Sequence, residues 1–206
     1  MKKICIFVVF VSFVWANPFA LTQSDKSYIK KQFNKNQIAK RFINLYAFFK
    51  RAKSYPIDKK IFRANLYINK IRSKHDETNR WFTPKEFFMY GYGDCEDYAI
   101  AKYFVLKQLG INPNKLYLSV VKVKGSKSFH MVLLYFDTHN IPLVLDNLSW
   151  KVLPLFKRND FKFKFAFNDK ASYIFDDNKH LIKEPNINRA EVKKFKQLIQ
   201  NIDVFD

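Results

Sequence analysis

Apolar residues recur at helical spacing through the first quarter of the chain. Between Ser24 and Lys53 they fall at Ile29, Phe33, Ile38, Phe42, Leu45 and Phe49, which predicts one or two amphipathic helices with these side chains toward a core. Pro56 interrupts the pattern. Ile57 to Ile71 then predicts a helix presenting Ile61, Leu66, Ile68 and Ile71 inward, and Ser73 to Asn79 reads as a polar loop. Thr83-Pro84-Lys85-Glu86 has the form of a helix start, with Thr83 as cap, Pro84 at the first helical position and Glu86 closing a capping box. Glu96 to Leu109 is apolar around most of its circumference, which predicts a central, buried helix ended by Gly110 and kept from resuming by Pro113. Beyond it the chain reads as strands: Leu116 to Val123, Phe129 to Phe136 and Leu143 to Leu148, separated by turn signals at Gly125-Ser126 and Asp137 to Asn140. Val152 to Leu155 and Phe161 to Phe167 read as further strands, and Glu191 to Ile202 as a terminal helix. Helices first, then a central helix, then an antiparallel sheet define an α+β class.

The first sixteen residues stand apart from this pattern. Lys2 and Lys3 precede the apolar run Ile4 to Trp15, and Val14-Trp15-Ala16 offers small residues for cleavage, so residues 1–16 read as a secretory signal peptide. The run is shorter than the roughly 20 residues that span a bilayer. The expectation is an exported, soluble, periplasmic protein. Lys and Arg number 37 against 18 Asp and Glu, for a formal charge of +19. That balance favours acidic partners, but the basic residues are mostly lysines spread along the chain, which reads as solvated surface rather than as a nucleic-acid site.

Export changes the meaning of the cysteines. Cys5 lies in the leading segment, so Cys95 is left without an internal disulfide partner. It sits in Gly91-Tyr92-Gly93-Asp94-Cys95-Glu96-Asp97-Tyr98, where glycines give way to the central helix. A helix N-terminus lowers a thiol pKa through unpaired N–H groups and the dipole, so this position suits a nucleophile. His130 begins an apolar strand and is the candidate base, with residues 130, 132 and 134 on one face expected against the helix carrying Cys95. Asp146 ends Leu143-Val144-Leu145 and could fix the imidazole tautomer from a neighbouring strand. His75, His139 and His180 lie in polar loops and are weaker bases. Each residue also has a bland reading: Cys95 a buried small hydrophobe, His130 a satisfied edge histidine, Asp146 a turn residue. Asp94, Glu96 and Asp97 crowd the thiol, and negative neighbours disfavour a thiolate. They fit either a helix-start capping arrangement, which the residues by themselves favour, or a hard cation such as Ca²⁺.

Thr83 to Phe87, Gly93-Asp94-Cys95-Glu96-Asp97-Tyr98-Ala99-Ile100-Ala101-Lys102-Tyr103, His130-Met131-Val132-Leu133 and Val144-Leu145-Asp146-Asn147-Leu148 together resemble the bacterial transglutaminase-like cysteine proteinases, over about Ile57 to Phe167. The resemblance implies a papain/transglutaminase-like fold, in which residues 17–206 form one peptidase domain with a helical lobe at 17–80 and a catalytic core at 81–206. It implies Cys95 as nucleophile, His130 as general base and acid, and Asp146 as orienting carboxylate. It also implies a calcium ion held by acidic residues matching Asp94 and Glu96, with Asp97 alongside, which turns the preference from capping to calcium. The implied substrate is a large secreted adhesin, cut near its N-terminus at a small-residue, Ala-Ala-type site. The implied regulator is the periplasmic domain of an inner-membrane cyclic-di-GMP receptor. Two rival readings use the same residues differently: an acyltransferase crosslinking Gln and Lys side chains, and a non-catalytic module binding an acidic protein or the membrane surface.

Overall fold

The computed structural model describes residues 17–74, 80–137, 142–176, 180–184 and 189–203. Residues 1–16, which read as a signal peptide, and His75 and His139 lie outside the described residues. The first helical stretch divides into α1 (Gln23–Lys31) and α2 (Lys35–Ala52). Ile38, Phe42, Leu45 and Phe48 of α2 are buried. Phe33, expected toward the core, is fully exposed, because it falls in the break between the two helices and leaves their apolar stripe. In α3 (Ile57–Ile68), Ile61, Ala64 and Ile68 are buried and Leu66 only partly so. The capping box at α4 (Pro84–Tyr90) forms as the sequence predicts: Glu86 N–H donates to Thr83 Oγ1 at 3.2 Å, and the Glu86 carboxylate accepts Thr83 N–H at 2.8 Å.

The all-round apolar helix is α5 (Cys95–Gln108), in which every residue from Asp97 to Leu106 is buried. Two short strands that the sequence did not announce, β1 (Arg72–Ser73) and β2 (Tyr92–Gly93), pair in parallel and tie the end of the α3 segment to the turn before Cys95. Seven further strands form one antiparallel sheet: β3 (Leu116–Val123), β4 (Phe129–Phe136), β5 (Pro142–Leu145), β6 (Leu153–Pro154), β7 (Phe161–Phe167), β8 (Ser172–Phe175) and β9 (Leu181–Lys183). Their order is β6-β5-β4-β3-β7-β8-β9, and helix α6 (Ala190–Asp203) follows.

Strand β5 stops at Leu145 rather than Leu148. Asp146 turns the chain there, its Oδ1 accepting Leu148 N–H at 3.0 Å, a local side-chain bond that competes with the ladder. The β3–β7 register slips between Val120 and Val121, leaving Lys164 as an extra residue. This bulge moves the alternating phenylalanines of β7 from one face to the other. Phe165 and Phe167 join the main core with the helices, whereas Phe161 packs in a second cluster with Val121, Val132, Leu134 and Val144. The main core is continuous from Phe19 to Leu198 and takes Leu118, Met131 and Leu133 from the sheet. Hence the face of β4 carrying Val132 and Leu134 points away from α5, opposite to the sequence expectation, and it is Met131 and Leu133 that pack toward the helix.

Candidate functional site

Two glycines shape the approach to Cys95. Gly91 ends α4 with φ +72°, and a Cβ there would lie 2.6 Å from the Arg41 guanidinium. Arg41 uses that space to cap the helix, donating to the carbonyls of Phe88 at 2.6 Å and Met89 at 2.7 Å. A Cβ on Gly93 would meet Asp97 Cβ at 2.8 Å and the Phe87 ring at 2.9 Å, so only glycine lets β2 run this close to the first turn of α5. Asp94 and Asp97 then form a reciprocal capping box, with Asp94 N–H donating to Asp97 Oδ2 at 3.1 Å.

Cys95 thus occupies the first helical position, half-buried. Its Sγ donates to Glu96 Oε2 at 2.9 Å. Burial, followed by the Glu96 and Asp94 carboxylates, pushes the thiol pKa well up, against a smaller lowering by the Met131 backbone N–H. The helix N-terminus was expected to lower it. Here desolvation and the adjoining negative charge outweigh that effect.

His130 is 8% exposed and Asp146 fully buried. His130 Nε2 lies 2.8 Å from Asp146 Oδ1, which leaves Nδ1 as the ring nitrogen for exchange with another group. Although its strand face points away from α5, His130 stands second in β4 and shares with Cys95 a cavity of about 300 Å³, also lined by Trp81, Glu96, Val120 and Lys194. His180 is exposed, lies within hydrogen-bond distance of Asp176, and does not line this cavity.

The Asp146 carboxyl has more partners than the sequence foretold. Burial would raise its pKa, but bonds from His130, Leu148 N–H and Arg158 bring it down to about 2. Arg158 Nη2 donates to Asp146 Oδ2 at 2.9 Å, and Asn69 Nδ2 donates to the Asp146 carbonyl at 2.8 Å. Lys102, seven residues into α5 and 1% exposed, also faces this carboxylate. Burial lowers its pKa to about 7, partly offset by attraction to Asp146. None of Arg158, Asn69, Lys102 or Trp81 was read as a site residue. The available signal for Arg158 was an arginine two residues before an aspartate in a chain whose basic residues are mostly lysine.

A thiol at a helix start and a His–Asp pair thus meet at one cavity. The family model of the bacterial transglutaminase-like cysteine proteinases (BTLCP) matches residues 53–174. The chain belongs to this family. Calcium-bound Legionella pneumophila LapG superposes with a TM-score of 0.72 at 26% identity, covering 86% of this chain and 96% of that one. EGTA-treated LapG from the same organism gives 0.70 at 25% identity, covering 86% and 94%. No curated protein sequence matches the chain. As a member of the family it is a cysteine peptidase on a mixed helix and antiparallel-sheet fold.

Asp97 is buried with both oxygens engaged, Oδ1 accepting Phe82 N–H at 2.7 Å and Oδ2 accepting Asp94 N–H. Asp94 Oδ1 is buried without a hydrogen-bond partner. Burial and then Glu96 raise the Asp94 pKa to about 6, and burial with the Asp94 and Glu96 charges raises Asp97 to about 7 against the Phe82 bond. Among the described residues no three His, Cys, Asp or Glu side chains converge as a ready-made metal cage. An orphaned carboxylate oxygen beside a second, repelling carboxylate nevertheless fits a hard cation, and the donors are the oxygen type that Ca²⁺ takes. The capping box and the orphaned oxygen coexist, since one Asp94 oxygen caps α5 and the other does not.

Proposed function

We propose that the protein is a periplasmic, calcium-dependent cysteine endopeptidase in which Cys95 is the nucleophile, His130 the general base and acid, and Asp146 the carboxylate that orients it. The observation that supports this reading is that Cys95 and His130 line one cavity while His130 Nε2 is held 2.8 Å from the buried Asp146. With Nε2 committed to Asp146, Nδ1 takes the thiol proton as sulfur attacks a peptide carbonyl. The Cys95 backbone N–H, at a helix start with no intrahelical acceptor, is positioned to donate to the developing oxyanion. His130 then returns the proton to the leaving amine, and water resolves the thioester. Asp94 and Glu96, with Asp97 alongside, would hold calcium; bound there, the ion would supply positive charge that offsets the carboxylates now keeping the thiol protonated.

The family resemblance carries the rest of the reading: a large secreted adhesin cut at an Ala-Ala-type site, in the service of biofilm attachment, and sequestration by an inner-membrane cyclic-di-GMP receptor. No helix among the described residues is long and apolar enough to cross a membrane, which is compatible with that setting. The test is cleavage of an adhesin N-terminal segment containing an Ala-Ala site. Cys95→Ala should abolish cleavage with the circular dichroism spectrum unchanged, and EGTA should reversibly lower both cleavage and the rate of Cys95 alkylation by iodoacetamide. Residual cleavage by Cys95→Ala overturns the nucleophile; indifference of both rates to EGTA, with no calcium in the purified protein, overturns the metal. Transfer of an added amine to the acyl group in place of water would reassign the enzyme as an acyltransferase.

A further inference from the structure

This inference rests on the Cys95–His130–Asp146 reading just given. From the contacts around Asp146 we infer that Arg158 is a positioning residue for the reaction, holding the Asp146 carboxylate in the orientation that aims the His130 ring at the thiol. Arg158 follows a single 3-10 turn (Leu155–Lys157) in the short connection from β6 to β7 and is 6% exposed. Its guanidinium is immobilised from three sides. Nε donates to Asp160 Oδ1 at 2.8 Å, Nη2 donates to Asp160 Oδ2 at 2.7 Å and to Asp146 Oδ2 at 2.9 Å, and the group lies 3.7 Å over the Phe161 ring. Phe161 in turn packs 5.9 Å from the His130 ring.

The two oxygens of Asp146 are therefore divided. Oδ1 takes His130 Nε2 and Leu148 N–H, and Oδ2 takes Arg158. Without Arg158, Oδ2 is a buried acceptor with no donor in this set, and Leu148 N–H on Oδ1 is the one tie left in this set, besides the imidazole itself, to hold the carboxylate's plane. A tie serving only the β6–β7 connection would be complete with Asp160, whose side chain is 49% exposed; the arginine instead reaches past it to a carboxylate at 0%. The planar fork is what allows one side chain to serve both acids.

The ionisable groups facing Asp146 are His130 from β4, Arg158 and Asp160 from the connection, and Lys102 from α5. Loss of the arginine weakens the hold on ionised Asp146.

The experiment uses the full chain with calcium and the Ala-Ala adhesin segment. Arg158→Gln should lower kcat about 10- to 100-fold with KM within about twofold. Arg158→Ala should regain part of its kcat on addition of guanidinium chloride and none with ammonium chloride. Should the glutamine variant fail to fold, Arg158→Lys carries the test: it keeps the charge but not the fork, so kcat falls with KM preserved. Activity falling only in proportion to folded protein, with no guanidinium rescue, overturns the proposal. Asp146→Asn separates the two readings: wild-type kcat in that variant sinks the triad, whereas an inactive Asp146→Asn beside a normal Arg158→Gln sinks the positioning role alone.

Discussion

Replacing Lys102 by methionine should stabilise the protein below neutral pH. Lys102 places an ammonium inside the buried surface of α5, 1% exposed, with the Tyr98 ring 5.9 Å away. Burial is the larger influence on it and lowers its pKa from 10.5 to about 7; attraction to Asp146 recovers only part. The folded protein thus binds this proton more weakly than the unfolded chain does. The cost is fully present below about pH 7, shrinks as pH rises, and is gone near 10.5. At about 1.4 kcal/mol per tenfold, it amounts to roughly 4–5 kcal/mol. Methionine keeps the stem length without the charge; the shift is already net of the attraction to Asp146, so, less the cost of imperfect packing, the gain at about pH 6 should be some 3–5 kcal/mol. By about pH 9.5, where the lysine itself is mostly neutral in the folded state, that gain should fall to about 1 kcal/mol. Urea unfolding followed by far-ultraviolet circular dichroism at the two pH values reads both quantities from the midpoints at constant slope. A methionine variant less stable than wild type at pH 6, or one equally favoured at both pH values, would refute the reasoning that desolvation dominates.

Two further substitutions probe the frame around the site. Gly93→Ala sets a Cβ within 2.9 Å of Asp97 and the Phe87 ring, neither a flexible tip, and should cost about 1–3 kcal/mol in thermal unfolding; a Tm equal to wild type would mean that the turn relaxes freely. Asn69→Ala removes the donor to the carbonyls of Asp146 at 2.8 Å and Ser149 at 3.0 Å, and should lower stability by about 1–3 kcal/mol. Amide exchange at residues 146–149 should quicken in that variant, and unchanged protection there would sever the link between α3 and this loop.

Much of the fold was readable because hydrophobic period and punctuation agreed. Thr83-Pro84-Lys85-Glu86 forms the expected capping box, and strands β3, β4 and β7 have the expected ends. Failures came where tertiary geometry overrides local pattern. Phe33 continues a helical stripe that a break in the helix interrupts. The face of β4 was assigned wrongly because alternation says which residues share a side but not which side the helix covers. Strands β8 and β9 are short and take their order from pairing on β7, a long-range cause with little local signature. At the site, Cys95, His130 and Asp146 could be picked out as chemical types on suitable elements. The charge balance could not: whether a helix start or its carboxylates control the thiol depends on burial and on a 2.9 Å contact to Glu96. Arg158 was invisible for the same reason, since only the folded connection brings it to Asp146.

Those contacts also bear on how the chain is divided. A boundary at residue 80 separates a helical segment from the residues that carry the chemistry, yet the helical segment builds part of the site. Asn69, just past α3, holds the Asp146 carbonyl, and Asn65 holds that of Ser149 at 3.0 Å. The Tyr98 hydroxyl of α5 donates to the Ile71 carbonyl, β1 pairs with the strand entering Cys95, and Arg41 of α2 closes the end of α4. Asp146 is consequently gripped twice, by its backbone from the helical segment and by its side chain from Arg158 across the sheet connection. A carboxylate that must orient an imidazole to within hydrogen-bond tolerance gains from such a grip, because each anchor removes a rotation the other leaves open. The segment before residue 80 therefore shares one continuous core with the candidate site and its proposed nucleophile rather than being appended to them.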